Sequence, residues 1–252
     1  MAASADSKVE EVILFSTLSI LQLIKDAQQQ HGLRHGDYQR YRAYCARKIR
    51  RIRKSLHFTN AHKGQSKHSA KFQARKVTSP ENITEIRYLL IPIFDAERCW
   101  AHAMQLKQES EDGNTRKRFH MLSKLRKAQK HVASLEILVK SLPQVDPPTN
   151  LEVQAYAAWI AGCLHFEQQE WGKAKDCFAS AKTIYEKLGS VVSEAKLAEL
   201  YTTRCAEMLP QLRYCAYNMG EETADISELM HIQLQMGGDD MISSDLDVRM
   251  SD

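Results

Sequence analysis

Apolar residues recur along this chain at steps of three and four, the spacing of helices that bury one face. Leu14, Leu18, Leu21 and Lys25 fall on such a step and predict a first amphipathic helix from about Lys8 to Gln30, closed at the Gly32 and Gly36 region. Asp37 is a suitable N-cap for a second helix reaching about Phe58, along which Tyr38, Tyr41, Cys45, Ile49, Ile52 and Leu56 form one narrow apolar stripe. The stretch from Thr59 to Pro80 mixes His, Lys, Ser, Gln and Gly without a period and reads as a mobile basic loop. A third helix is predicted from Glu81 to about Glu109 around Leu89, Ile93, Ala96, Trp100, Ala103 and Leu106, with Pro92 expected to kink or divide it. After a turn at Glu111–Asn114, a fourth follows from Thr115 to about Leu142 and is stopped by Pro143, Pro147 and Pro148.

From Leu151 the pattern gives a tight helix pair, a helix from about Val192 to Met208, and beyond Pro210 a short helix near Tyr214. Gly162, Ala174, Phe178 and Ala181 match the small and aromatic positions of the 34-residue helix-turn-helix repeat, in which small residues let paired helices approach and aromatic ones fill the angle between them. Trp171 falls at the turn, while His165 and Ala158 stand where that repeat has tyrosine and tryptophan. The fold class is therefore all-α, a tetratricopeptide-like antiparallel helical array. One helical domain is expected over residues 1–236, with a possible sub-boundary at 143–150 and a disordered acidic tail over 237–252. Such arrays often bind extended peptides, so a protein-interaction scaffold without a nucleic-acid role is one functional reading.

Composition supports a folded helical chain: 43% hydrophobic and 26% charged residues, with only 10 Gly and 6 Pro to interrupt helices. The apolar stretch Val12–Ile24 is broken by Ser16, Thr17, Ser19 and Gln22 and preceded by Glu10 and Glu11, so neither a signal peptide nor a membrane span is expected. The six cysteines lack any C-x-x-C pair, which points to buried, reduced thiols in a reducing compartment such as cytosol or nucleus. His31 and His35 stand four apart, but Gly32 and Gly36 oppose a helix there and no Glu follows the first His, so a capping turn is expected in place of a zinc site. With no phosphate-cradling glycine loop, G-x-S-x-G elbow or locally supported Cys-His pair, no catalytic residue, metal or cofactor is expected and the chain is not read as an enzyme. Trp100, Trp159 and Trp171 lie on apolar stripes and read as core.

Charge changes the picture. The net charge is only +4, yet from Tyr38 through Pro80 there are 13 Lys and Arg and no acid, which leaves 22 Lys and Arg against 31 Asp and Glu elsewhere. A second acid-free run, Gly113–Leu135, holds Arg116, Lys117, Arg118, Lys124, Arg126, Lys127 and Lys130 with His120 and His131 interleaved. The C-terminal end is acidic, so one end of the chain attracts phosphate and the other repels it. Around the second helix, at about 100° per residue from Cys45, Arg40, Arg42, Arg47, Lys48, Arg50, Arg51, Arg53 and Lys54 occupy nearly all of the circumference outside the apolar stripe. A solvated helix face normally mixes signs; here no acid relieves eight like charges, and a polyanion would. An anionic membrane fits least, because it requires a wide apolar face with Trp or Phe. A regular RNA helix admits a protein helix only where a bulge or junction opens its major groove, so structured RNA is a suitable target, but composition does not separate it from DNA.

The run His31-Gly32-Leu33-Arg34-His35-Gly36-Asp37-Tyr38-Gln39-Arg40-Tyr41-Arg42, continuing through the basic helix to Leu56, resembles the family of 68-kilodalton subunits of the signal recognition particle. The likeness extends through Asp95-Ala96-Glu97-Arg98, Ala103–Glu109, Arg116–His120, Lys182–Leu188 and Arg213–Asn218, over about nine-tenths of the chain. The resemblance implies a tetratricopeptide-like module that binds a junction of the particle RNA, with Arg47, Lys48, Arg50, Arg51, Arg53 and Lys54 on an inserted arginine-rich helix and Arg116, Lys117, Arg118, Lys124, Arg126 and Lys127 bracing neighbouring backbone. It implies further a cytoplasmic particle with nucleolar assembly, acting in co-translational targeting to the endoplasmic reticulum and meeting the ribosome and the membrane receptor indirectly, without membrane insertion. A 72-kilodalton partner subunit is implied only for a longer parent chain. The loop from Ala61 to Gln73 departs from the family in length and histidine content, so no contact is carried over there.

Overall fold

The computed structural model describes residues 15–63, 71–73, 75, 77, 80, 83–110 and 115–220. Among these residues there are seven α-helices, α1 (Ile20–Gln30), α2 (Tyr38–Ser55), α3 (Leu90–Gln108), α4 (Thr115–Lys140), α5 (Pro147–Glu167), α6 (Trp171–Val191) and α7 (Ala195–Asn218). From α2 onward each helix packs on the next, and from α3 onward short connections make neighbours antiparallel, the stacking of a helical-repeat array. α1 lies across this array against α5 and α7.

α1 begins later than the periodicity predicts. The Phe15 N–H donates to the Gln144 carbonyl at 2.7 Å, the Leu18 N–H to Thr149 Oγ1 at 2.8 Å, and the Leu21 N–H to Glu152 Oε2 at 2.9 Å. These tertiary acceptors take donors that a longer helix would have used internally, so residues 15–19 run non-helical onto the start of α5. The expected portion before Phe15 lies outside the described residues. Glu152 is buried and also accepts from the Tyr201 hydroxyl at 2.5 Å, so one carboxylate ties α1 and α7 to α5.

The prolines act differently from their expected roles. Pro92 is the third residue of α3, within the first turn, where no intrahelical N–H is required; it does not divide the helix, which is preceded by a single 3-10 turn at Ile86–Tyr88. Pro147 and Pro148 do not merely follow α4 but open α5, at the position where a fixed φ suits a helix start. Pro210 lies inside α7 and does not end it, because Met208, Leu212 and Cys215 are buried on both sides of it against the array. In the stretch expected to be loop, Ala61–Lys63 and Lys71–Gln73 form an antiparallel ladder, β1 and β2, in the register Ala61 to Gln73, His62 to Phe72 and Lys63 to Lys71. Strands of three residues are too short to leave a period in sequence. The expected acidic tail over 237–252 lies outside the described residues.

One buried cluster runs from Ile20 in α1 to Cys215 in α7. At its centre Glu97 of α3, wholly buried, accepts from Gln28 Nε2 at 3.0 Å, the Tyr41 hydroxyl at 2.6 Å and the Tyr156 hydroxyl at 2.7 Å. It thereby joins α1, α2 and α5 to α3, and burial together with its charge pushes both tyrosines well above their usual range. Contacts also cross the proline-rich stretch at 143–150, with Trp100 and Trp159 rings 5.6 Å apart. All six cysteines are free thiols, and burial pushes Cys163 up to about 12 and Cys205 and Cys215 to about 11.

The repeat-like pair is formed by α5 and α6. A Cβ on Gly162 would stand 2.7 Å from Phe178 Cε1, while Ala174 and Ala181 are wholly buried beside it. Gly162→Ala therefore forces the Phe178 ring from its place and is expected to lower unfolding stability by about 1–3 kcal/mol, read by denaturant titration. An unchanged midpoint would show that the crossing is not set by this contact.

Candidate nucleic-acid interface

The approach to α2 is fixed by two glycines. Gly32 has φ +116° and Gly36 φ +69°, and a 3-10 turn, Leu33–His35, lies between them. A Cβ on Gly32 would stand 2.8 Å from the Asp37 carbonyl oxygen, so only glycine fits the fold-back. Asp37 then caps α2, its Oδ1 accepting from the Arg40 N–H at 2.8 Å. The His31 and His35 pair thus flanks a turn, and among the described residues no group of three His, Cys, Asp or Glu is placed to hold a metal ion.

α2 is seated by Tyr41, Cys45, Ile49 and Ile52, which are buried against the core. At about 100° per residue, Arg42, Arg50 and Arg53 fall on one flank of that seam, Arg40, Arg47, Lys48 and Arg51 on the other, and Lys54 opposite it. The first flank faces an open groove of about 1120 Å³ between α2, α3 and α4. Arg42, Arg50 and Arg53 line it from α2, Arg98 and His102 from α3, and Lys124, Lys127, Lys130 and His131 from α4, with Arg75 at the mouth.

Among the described residues Asp95 is the one acid lining this groove, and its Oδ1 accepts from Arg98 Nη2 at 2.8 Å. Among the described residues no Lys or Arg of α2 pairs with a carboxylate. Arg53 is occupied otherwise: its Nη1 donates to the Arg75 carbonyl at 3.0 Å and Asn60 Oδ1 at 3.3 Å, and the Arg53 and Arg75 guanidiniums each lie 5.5 Å from the Phe58 ring. Lys48 lies 5.9 Å from the Phe94 ring. Burial first, then the charges of Arg42 and Lys124, lowers His102 to about 4.

Of the residues singled out in the sequence, the structure brings Arg42, Arg50, Arg53, Lys124 and Lys127 to one groove. Arg40, Arg47, Lys48 and Arg51 take the far flank of α2, and Lys54 points away from the core. Arg116 and Arg118 are exposed near the start of α4, and Arg126, about 200° around α4 from Lys124, turns away from the groove. Lys117 is engaged locally, donating to the Glu109 carbonyl at 2.7 Å with Glu109 Oε2 at 3.7 Å. Sequence reasoning missed Arg75, Arg98 and His102, and did not place Lys130 and His131 in the site. Lys124, Lys127 and His131 recur at steps of three and four, a signal that separates the inward face of α4 from Arg126.

The family model described as RNA-binding signal recognition particle 68 matches residues 33–251. The chain belongs to this family. It is 46% identical over 236 residues to the signal recognition particle subunit SRP68 of Caenorhabditis elegans, covering 92% of this chain and 38% of that protein. The Drosophila melanogaster subunit is 45% identical over 224 residues, 87% of this chain and 36% of that protein. The chain thus spans little more than a third of the length of these two curated relatives. Among solved structures, that of the SRP68-RBD from Chaetomium thermophilum superposes with a TM-score of 0.70 at 25% identity, covering 88% of this chain and all of that one. The helical architecture is therefore that of the signal recognition particle 68 family. Among the described residues no helix is long and apolar enough to cross a membrane.

The groove's charge makes a pH signature. His102 has its folded value held at about 4, below the usual 6.5, so the unfolded chain binds more protons between those values and stability falls as pH drops through that window. An anion in the groove offsets the Arg42 and Lys124 charges and raises His102. Titrating the His102 ring by NMR is expected to give a midpoint near 4 in the free chain and a higher one with RNA bound; an ordinary midpoint in the free chain would contradict the described electrostatics.

Proposed function

We propose that this chain binds signal recognition particle RNA at a helical junction, with α2 inserted as the arginine-rich element and the α2–α4 groove holding an adjacent phosphate backbone. The observation behind this reading is that eight Lys and Arg of α2 lack any carboxylate partner among the described residues, while Lys124, Lys127 and Lys130 face three of them across one groove. Unrelieved like charge on both walls of a groove attracts a polyanion and gains most where phosphates lie within reach of both. Arginine suits this role because its fork grips phosphate through two N–H groups and also stacks on bases.

In this reading Arg42, Arg50, Lys124 and Lys127 grip backbone directly, whereas Arg53 chiefly holds the end of α2 to Arg75. Arg40, Arg47, Lys48, Arg51 and Lys54 meet the opposing wall of a widened major groove. Arg116, Lys117, Arg118 and Arg126 reach a neighbouring strand along the outside of α4. The chain thereby helps assemble and remodel the particle for co-translational targeting to the endoplasmic reticulum, in a cytoplasmic particle assembled in the nucleolus. A longer parent chain joins the 72-kilodalton subunit, and the ribosome and membrane receptor are met only through the particle.

Replacing Arg50, Lys124 and Lys127 with Ala, leaving Arg53 intact to keep the loop anchored, is expected to flatten the dependence of log affinity on log salt by roughly 0.7–0.9 per lost phosphate contact. Filter binding against junction RNA across a salt series measures this. An unchanged slope sinks the groove as the contact, and equal slopes and affinities on junction RNA and duplex DNA would sink RNA as the preferred ligand.

A further inference from the structure

The far flank of α2 carries a feature that phosphate binding does not use. His31, the last residue before the Gly32 turn, stacks its ring on Tyr44 of α2 with centroids 3.6 Å apart and planes 19° from parallel. Tyr44 in turn meets Phe94 of the core edge-on at 6.2 Å and lies 6.3 Å from Tyr41. The rings make a ladder from the interior outward that ends at His31.

The outermost ring is available. His31 and Tyr44 are both half-buried, and His31 has only Tyr44 as a ring partner among the described residues. Its backbone N–H closes α1 by donating to the Ala27 carbonyl at 3.1 Å, whereas its side-chain nitrogens have no hydrogen-bond partner among the described residues. Gly32 forces the chain to fold back at this point, which presses the ring against α2.

Four cations lie near enough to act on this ring: Arg40, Arg47, Arg51 and Lys48 all act electrostatically on His31, and Arg51 acts on Tyr44 as well. Burial first, and then these charges, lower the His31 basicity, which favours the neutral ring. A neutral aromatic face set among phosphate-binding side chains is the arrangement that takes an unpaired base with its backbone, since every base has a π-face and stacking tolerates sequence.

We infer that the His31–Tyr44 stack, flanked by Arg47 and Arg51, is a platform for one unpaired nucleobase on the side of α2 opposite the groove. This inference rests on the RNA-binding reading above. It adds a contact that senses the base and not only charge, and it selects RNA with a flipped or bulged nucleotide at α2 over continuous duplex.

The test uses the full chain with two fluorescein-labelled strands of equal length and charge, an eight-nucleotide oligoadenylate and its fully abasic counterpart. The wild-type chain is expected to prefer the base-containing strand by roughly 5- to 150-fold, the range of one base–aromatic stack. His31→Ala should abolish that preference while leaving affinity for the abasic strand and its salt slope unchanged; the α1 cap survives because it comes from the backbone. His31→Trp should keep the preference, with its fluorescence quenched by the oligoadenylate alone. A preference that persists in His31→Ala overturns the inference. Equal binding of both strands by the wild type, or binding of neither, overturns it and leaves the RNA reading standing as long as the same chain binds junction RNA with a salt-dependent affinity; loss of that junction-RNA binding overturns the RNA reading itself.

Discussion

A helix that carries eight like charges and no acid has to be held to the protein by something stronger than its own propensity. In this fold that hold is a narrow seam, Tyr41, Cys45, Ile49 and Ile52, fastened at Glu97. The buried carboxylate accepts three hydrogen bonds from three other helices, so the seat of α2 is shared with α1 and α5. Among the described residues the charged faces of α2 carry no carboxylate partner. Glu152 repeats the device for α1 and α7, taking a backbone N–H from one and a tyrosine hydroxyl from the other.

Because the seam is narrow, the cations divide into two flanks with different surroundings. One flank shares a groove with α3 and α4, where Lys124 and Lys127 add charge from a second helix and Asp95 is neutralised locally by Arg98. The other flank ends in the ladder Phe94, Tyr44, His31, which sets an aromatic surface among Arg47, Lys48 and Arg51. In the proposed reading a single basic helix takes backbone on one side and a base on the other. The last turn of α2 is steadied by Arg53 and Arg75 around Phe58, so an arginine counted by sequence as a ligand contact also serves the fold.

Much of this was legible in the sequence where local rules decide. Asp37 as cap, the middle of the α2 stripe from Tyr41 to Ile52, and Gly162 at a close crossing with Phe178 each follow from spacing or size, and each is found in place, while Tyr38 is half-buried and Leu56 lies just past the end of the helix. The readings that changed are those in which tertiary contact overrides a local signal. Pro210 stays inside a helix because buried neighbours hold it, and Pro92 is harmless because of where α3 happens to start. α1 is shortened by acceptors 131 positions away in sequence, Thr149 and Glu152, which no local pattern reveals. The groove was half legible: charge density marked α2 and α4, but that Arg98 and His102 on a helix of mixed charge complete it depends on how α3 is rotated between them.

The central claim is that α2 is strained by its own charge and relieved by a polyanion. Hydrogen exchange of α2 amides in the free chain, followed across ionic strength, tests it most directly. Protection of Arg47–Lys54 is expected to rise with salt, and to rise further with RNA at fixed salt, while α5 and α6 stay constant. Protection of α2 that falls as salt rises would mean that carboxylates of the same chain already hold its arginines, and would contradict the account.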